Sequence, residues 1–132
     1  SLMNILSTVK GFVKGRLISV FGCGGDRDKS KRPVMGEISG RIADFTVITS
    51  DNPRTEVPAD ILAEIENGMK RTEGKYIVIE DRTEAIRYAI SIAEKDDIIV
   101  LSGKGHETYQ IFKDKTIHYD EREIVTNILR EG

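Results

Sequence analysis

The chain has little of what would cross-link it or lodge it in a membrane. Its single cysteine, Cys23, cannot close an intramolecular disulfide, which fits a reducing compartment. A catalytic thiol would need a base beside it, and neither His106 nor His118 can be placed there from spacing, so small-residue packing is the expected role of Cys23. Tryptophan is absent, and three prolines with no repeat or low-complexity tract leave no linker composition, so a soluble globular protein is expected rather than a disordered one. Apolar runs stop at about five residues, against the roughly 20 needed to span a bilayer. The start, Ser1-Leu2-Met3-Asn4, has neither the basic nor the apolar region of a secretory leader. A cytoplasmic protein without a membrane partner is the expectation. Neither sign of charge dominates, and a net charge of −2 argues against a general nucleic-acid partner.

What is present amounts to one domain, 1–132, since 132 residues suffice for one self-sufficient core. Leu2, Ile5, Leu6, Val9, Phe12 and Val13 recur at three- and four-residue steps and predict a first amphipathic helix. Apolar strands are expected at about 16–21, 45–49, 76–79 and 98–101. Between them lie a helix starting near Lys31-Arg32-Pro33 with Met35, Ile38 and Ile42 inward, and one opened by Pro58 with Ile61, Leu62, Ile65 and Met69 on one face, broken by Gly68 and Gly74. A further helix is capped by Asp81, with Glu84 completing a capping box and Ala85, Ile86, Ala89, Ile90 and Ala93 buried. Residues 108–112 and 116–119 flank Lys113-Asp114-Lys115 as an antiparallel hairpin closing the sheet edge, and a last helix from near Asp120 buries Ile124, Ile128 and Leu129. Alternating strands and helices, with strands apolar throughout, predict an α/β fold: a Rossmann-like three-layer sandwich around a mainly parallel sheet.

Three strands run into loops bearing polar chemistry, at the sheet end where open α/β folds bind ligands. The first is Gly22-Cys23-Gly24-Gly25-Asp26-Arg27-Asp28, the second Asp51-Asn52-Pro53-Arg54, the third Gly103-Lys104-Gly105-His106-Glu107. Residues 1–41 hold eight Lys/Arg against three Asp/Glu, so positive potential gathers near the first loop and an anionic ligand is expected there. Where a dinucleotide fingerprint needs its third glycine stands Arg27, which disfavours nicotinamide or flavin binding, and the third loop lacks phosphate-loop spacing, so ATP chemistry cannot be carried by these residues alone. The remaining groups suit a zwitterion. Arg27 and Arg54 can fork onto carboxylates, Asn52 can donate and accept, and Glu107 can accept from an ammonium. Competing readings make Asp26, Asp28, Lys29 and Lys31 solvated loop charges, Asp51 a turn cap before Pro53, and Glu56 an exposed carboxylate. His106 has no second ligand at metal-binding spacing, so it is expected to be a hydrogen-bonded loop residue, with no metal in the domain.

On three stretches, Val20 to Asp28 with Lys31-Arg32-Pro33 and Met35-Gly36, Thr49 to Arg54, and Gly103 to Glu107, the chain resembles the carboxyl-terminal domain of the Mur ligases. Within them it is similar to the branch that adds the third residue of the peptidoglycan stem peptide, in its diaminopimelate-adding form. The resemblance implies a three-domain parent. Its first domain holds the UDP-N-acetylmuramoyl-dipeptide, and its central domain binds ATP and Mg²⁺ and carries a carbamylated lysine; none of these parts is in this sequence. ATP then phosphorylates the γ-carboxylate of a D-glutamyl residue, and the third domain delivers the attacking amine. Carried over by position, Arg27, Asn52, Arg54, Gly103 and Glu107, with Asp51 in the same loop, form the pocket for meso-diaminopimelate or a near-isostere such as lanthionine. No catalytic residue is expected in this domain, which alone should be inactive. Two other classes remain open: a stand-alone nucleotide or small-anion binding module, and a regulatory domain with no ligand.

Overall fold

Strand β1 (Leu17–Phe21) is buried at every residue, and its side chains alternate between two separate apolar clusters. Leu17 and Phe21 face a cluster that includes Leu2, Leu6, Ile48, Ile61, Ile65 and Met69; Ile18 and Val20 face Val47, Ala85 and Ala89. A strand covered on both faces cannot carry a polar alternation, which is why it reads as a continuous apolar run. The computed structural model describes residues 1–103 and 109–131.

Around β1 lie α1 (Leu2–Lys10), α2 (Lys31–Ile42), β2 (Phe45–Ile48), α3 (Pro58–Met69), β3 (Lys75–Val78), α4 (Arg82–Ile92) and β4 (Ile98–Leu101), followed by β5 (Tyr109–Ile111), β6 (Thr116–His118) and α5 (Glu121–Glu131). The main sheet is entirely parallel in the order β3-β2-β1-β4, with Val20 opposite Val47 on one side and Leu101 on the other. Helices α1, α2 and α3 cover one face and α4 the other, with α5 against α4, so the expected three layers are present. The chain steps from β1 to β2 in one direction and later returns to place β4 on the opposite side. The carboxyl ends of β1 and β4 therefore flank a topological switch point.

Several local expectations change. Gly68 does not end α3: a Cβ there would collide with the Pro33 carbonyl, and one at Gly36 with the Ile65 carbonyl, so the two glycines let α2 and α3 pack backbone to backbone. Helix α1 ends at Lys10, leaving Ile5 and Phe12 exposed while Leu2 and Leu6 pack. The Asp81 carboxylate does cap α4 by accepting from the Glu84 N–H (3.0 Å), whereas the Glu84 carboxylate pairs with Arg87. Leu129 is exposed rather than buried. The hairpin forms, with Gln110 opposite Ile117, but as a separate two-stranded sheet rather than as an edge of the main one. It is held by side chains and loop backbone: Ile111 N–H donates to Asn52 Oδ1 (3.0 Å), and the Ile111 carbonyl accepts from Arg54 N–H (3.1 Å).

Candidate functional site

The loops that leave β1 and β2 and the residues Ser102 and Gly103 after β4 stand side by side, because these strands are neighbours in the sheet. The first two are stitched together by backbone. Gly25 N–H donates to the Asn52 carbonyl (2.7 Å), and Gly25 has room only for hydrogen, since a Cβ would overlap the Pro53 carbonyl. Arg54 adopts φ +54°, a left-handed conformation unusual for a side chain of its size. That turn aims its guanidinium back over the first loop, where Nη1 donates to the carbonyls of Gly25 (3.1 Å) and Asn52 (3.3 Å). No described residue accepts from its Nε or Nη2. A Cβ on Gly24 would lie 2.9 Å from Arg54 Nη1 and 3.4 Å from Arg27 Cγ, so the side chains of both arginines flank this one glycine.

A crevice of about 400 Å³ opens beside Gly22 and Gly24 and is lined by Arg27, Lys31, Asp51 and Gly103, with Cys23 and Met35 in its wall. Arg27, Asp51 and Gly103 thus line one crevice. Arg54 stands behind Gly24 at its margin, half-buried. Asn52 is almost wholly buried and spends its Oδ1 on the hairpin. Gly103 takes φ +106°, which glycine alone adopts without strain. Glu107 and His106 lie outside the described residues. Burial pushes the Cys23 thiol up to about 12, so it stays protonated, with its sulfur 3.5 Å from that of Met35, and packs as expected.

Two buried arginines beneath the loops are what the sequence left unmarked. Arg32, in the first turn of α2, donates to both oxygens of Glu56 (3.0 and 2.7 Å), to Glu64 (2.7 Å) and to the Gly24 carbonyl (3.0 Å). Arg82, the first residue of α4, donates to the carbonyls of Ser50 (3.1 Å) and Ser102 (2.9 Å) and pairs with Glu121 of α5. Ser50 immediately precedes the second loop and Ser102 the third. Glu56, expected to be an exposed carboxylate, is instead shielded: the Arg32 guanidinium and then the Asp26 N–H hold its carboxyl down at about 2. One signal was available. Both arginines occupy first helical turns, where the dipole disfavours a cation, so each needed acceptors from elsewhere in the fold.

A larger open groove of about 790 Å³ lies at the opposite end of the sheet, by Phe45 and Lys75, which begin β2 and β3. Arg16, Arg41 and Arg71 in its wall already face Asp97 or Glu37.

The model of the Mur ligase glutamate ligase domain matches residues 1–105. The chain belongs to the Mur ligase family. Over 131 residues it is 62% identical to the UDP-N-acetylmuramoyl-L-alanyl-D-glutamate--2,6-diaminopimelate ligase of Caldanaerobacter subterraneus subsp. tengcongensis, covering 99% of this chain and 27% of that protein. The Clostridium tetani ligase of the same name is 55% identical, over 98% of this chain and 26% of its own length. A solved structure of a Mur ligase with that name superposes with a TM-score of 0.92 at 39% identity, covering 98% of this chain and 27% of the other. The chain thus spans 26–27% of the length of these Mur ligases. Among the described residues, no three His, Cys, Asp or Glu side chains cluster to hold a metal, and no helix is long and apolar enough to cross a membrane.

Proposed function

We propose that this chain is the amino-acid-binding domain, 1–132, of an ATP-dependent ligase that joins diaminopimelate to UDP-N-acetylmuramoyl-L-alanyl-D-glutamate in peptidoglycan synthesis. The observation that carries the reading is the pair of arginines, Arg27 and Arg54, flanking Gly24, which with Arg27 lines a crevice beside the switch point. Diaminopimelate bears a carboxylate at both ends, lysine at one, and a guanidinium fork matches a carboxylate with two parallel bonds. Relatives 50–62% identical across nearly the whole chain carry the diaminopimelate ligase name, which supports that substrate class.

In this scheme the D-glutamyl γ-carboxylate is activated as an acyl phosphate, with ATP converted to ADP. The amine of the diamino acid attacks the acyl carbon, the amide forms, and phosphate leaves. This chain's share is orientation: Arg54 takes the distal carboxylate, Glu107 the ammonium beside it, and Arg27 with Asp51, Asn52 and Gly103 completes the pocket. Neither the glycine-loop spacing nor any described acid cluster suits nucleotide phosphates with Mg²⁺, so we assign both, with the UDP-linked substrate, to the remainder of the longer protein. The cytoplasm is the compartment this reading implies, since ATP is a substrate.

The test is turnover by the intact ligase with meso-diaminopimelate, lanthionine and lysine in parallel. Catalytic efficiency is expected to be greatest with the two substrates that carry a distal carboxylate. Equal use of lysine, or nucleotide binding by this domain with no effect of any diamino acid, would overturn the assignment.

A further inference from the structure

We propose that Arg32 and Glu56 form a positioning pair that fixes the Arg27 loop against the Arg54 loop, and thereby sets how the two guanidinium groups are presented to the diamino acid. The inference rests on the amino-acid-binding reading above. Arg32 is 1% exposed, and a guanidinium so buried is costly unless its donors are met. The donors on Nη1 and Nη2 find acceptors in three places, Gly24 in the loop after β1, Glu56 in the segment after β2 and Glu64 on α3, while the buried Nε meets none among the described residues. Glu56 also accepts the Asp26 N–H, so both members of the pair grip the residues just before Arg27. A second strap closes the frame. The Asp26 carboxylate accepts from the Thr55 hydroxyl (2.6 Å), and Thr55 follows Arg54. Each substrate-facing arginine is therefore one residue away from a cross-loop bond.

Replacing a buried ion pair by apolar groups often costs no net stability, so what this pair uniquely supplies is geometry. Glu64 is the built-in control. It binds the same guanidinium at 2.7 Å but touches neither loop.

In the intact ligase, Glu56→Gln keeps the shape but sets an amide N–H₂ against the guanidinium donors. It is expected to raise KM for meso-diaminopimelate roughly ten- to a hundredfold, the scale of a misplaced binding group, with KM for ATP unchanged. Glu64→Gln should leave KM for the diamino acid at the wild-type value. Arg32→Lys keeps the charge but cannot span Gly24 and Glu56 together, so it should reproduce the Glu56→Gln shift and supplies the reading should that variant fail to fold. Thermal midpoints are followed alongside. Wild-type turnover with KM unmoved in both Glu56→Gln and Arg32→Lys, or moved equally by Glu64→Gln, overturns the pair alone. No wild-type turnover of diaminopimelate overturns the functional reading and this inference with it.

Discussion

Arg54 staples two loops in this fold, and the proposed function gives it a second, separable task at the diamino acid. Its Nη1 is spent on the Gly25 and Asn52 carbonyls, while its Nε and Nη2 bond to no described residue and, in the proposed function, are the donors that meet the distal carboxylate. In the intact ligase, Arg54→Ala leaves one buried carboxylate of the bound diamino acid unpaired, a loss of about 2–5 kcal/mol in transition-state binding. Part of that loss is the loosened loop and should fall on any amino acid. The ratio of catalytic efficiencies for diaminopimelate and lysine isolates the rest, and is expected to fall by at least about tenfold. Arg54→Lys should recover only part, because an ammonium keeps the charge without the fork. An unchanged ratio in Arg54→Ala would make the residue a loop staple and nothing more.

Among the elements, the α2–α3 contact shows a tertiary constraint overriding a local one. By helix propensity, glycine to alanine inside a helix should stabilise by about 1 kcal/mol. At Gly36 and Gly68 the added Cβ meets a backbone carbonyl of the other helix, which cannot move aside as a flexible side chain would. Both Gly36→Ala and Gly68→Ala are therefore expected to destabilise by about 1–3 kcal/mol, read as a lower urea midpoint at constant slope. A rise in midpoint would mean that the helices can slide apart at little cost. The same contrast marks how much was legible beforehand. The parallel strands could be read because double-sided burial leaves continuous apolar runs such as Leu17–Phe21. Gly68 stands one residue before the end of α3 and also serves the helix contact, because close approach and termination leave the same residue in the sequence. The hairpin's partner was hidden too, since Asn52 and Arg54 anchor Ile111 through bonds that no periodicity encodes. At the site, the loops could be located from strand ends, but for Arg32 and Arg82 the first-turn position was the one signal, and their acceptors, which lie elsewhere in the chain, could not be named from it.

At the scale of the whole molecule, the two buried arginines brace the loop end of the sheet: Arg32 ties the first loop to the segment after the second, and Arg82 ties Ser50 and Ser102, which lead into the second and third, to each other and to α5. Such a frame depends on its carboxylates staying ionised. Within it Glu56 is held down at about 2 by Arg32 and the Asp26 N–H; at the opposite end of the sheet, outside this frame, Asp97 is lowered by the N–H groups of Glu94 and Arg16, and Asp44, though burial raises it, is lowered on balance by Lys10 and the Leu17 N–H. A carboxylate whose value is depressed on folding contributes stability that is present in full above its unfolded value, and that stability is lost as pH falls through the folded value. For Glu56 that window runs from 4.5 down to about 2. The thermal midpoint of the chain is accordingly expected to be flat with respect to Glu56 from pH 7 to about 5 and to fall steadily below 4.5. Glu56→Gln removes one titrating group from that window, so its midpoint should be lower than wild type at pH 7 and should approach it as the pH is taken toward 2. Parallel curves at every pH would show that Glu56 gains nothing from Arg32 on folding, and would leave the loop frame without its electrostatic lock.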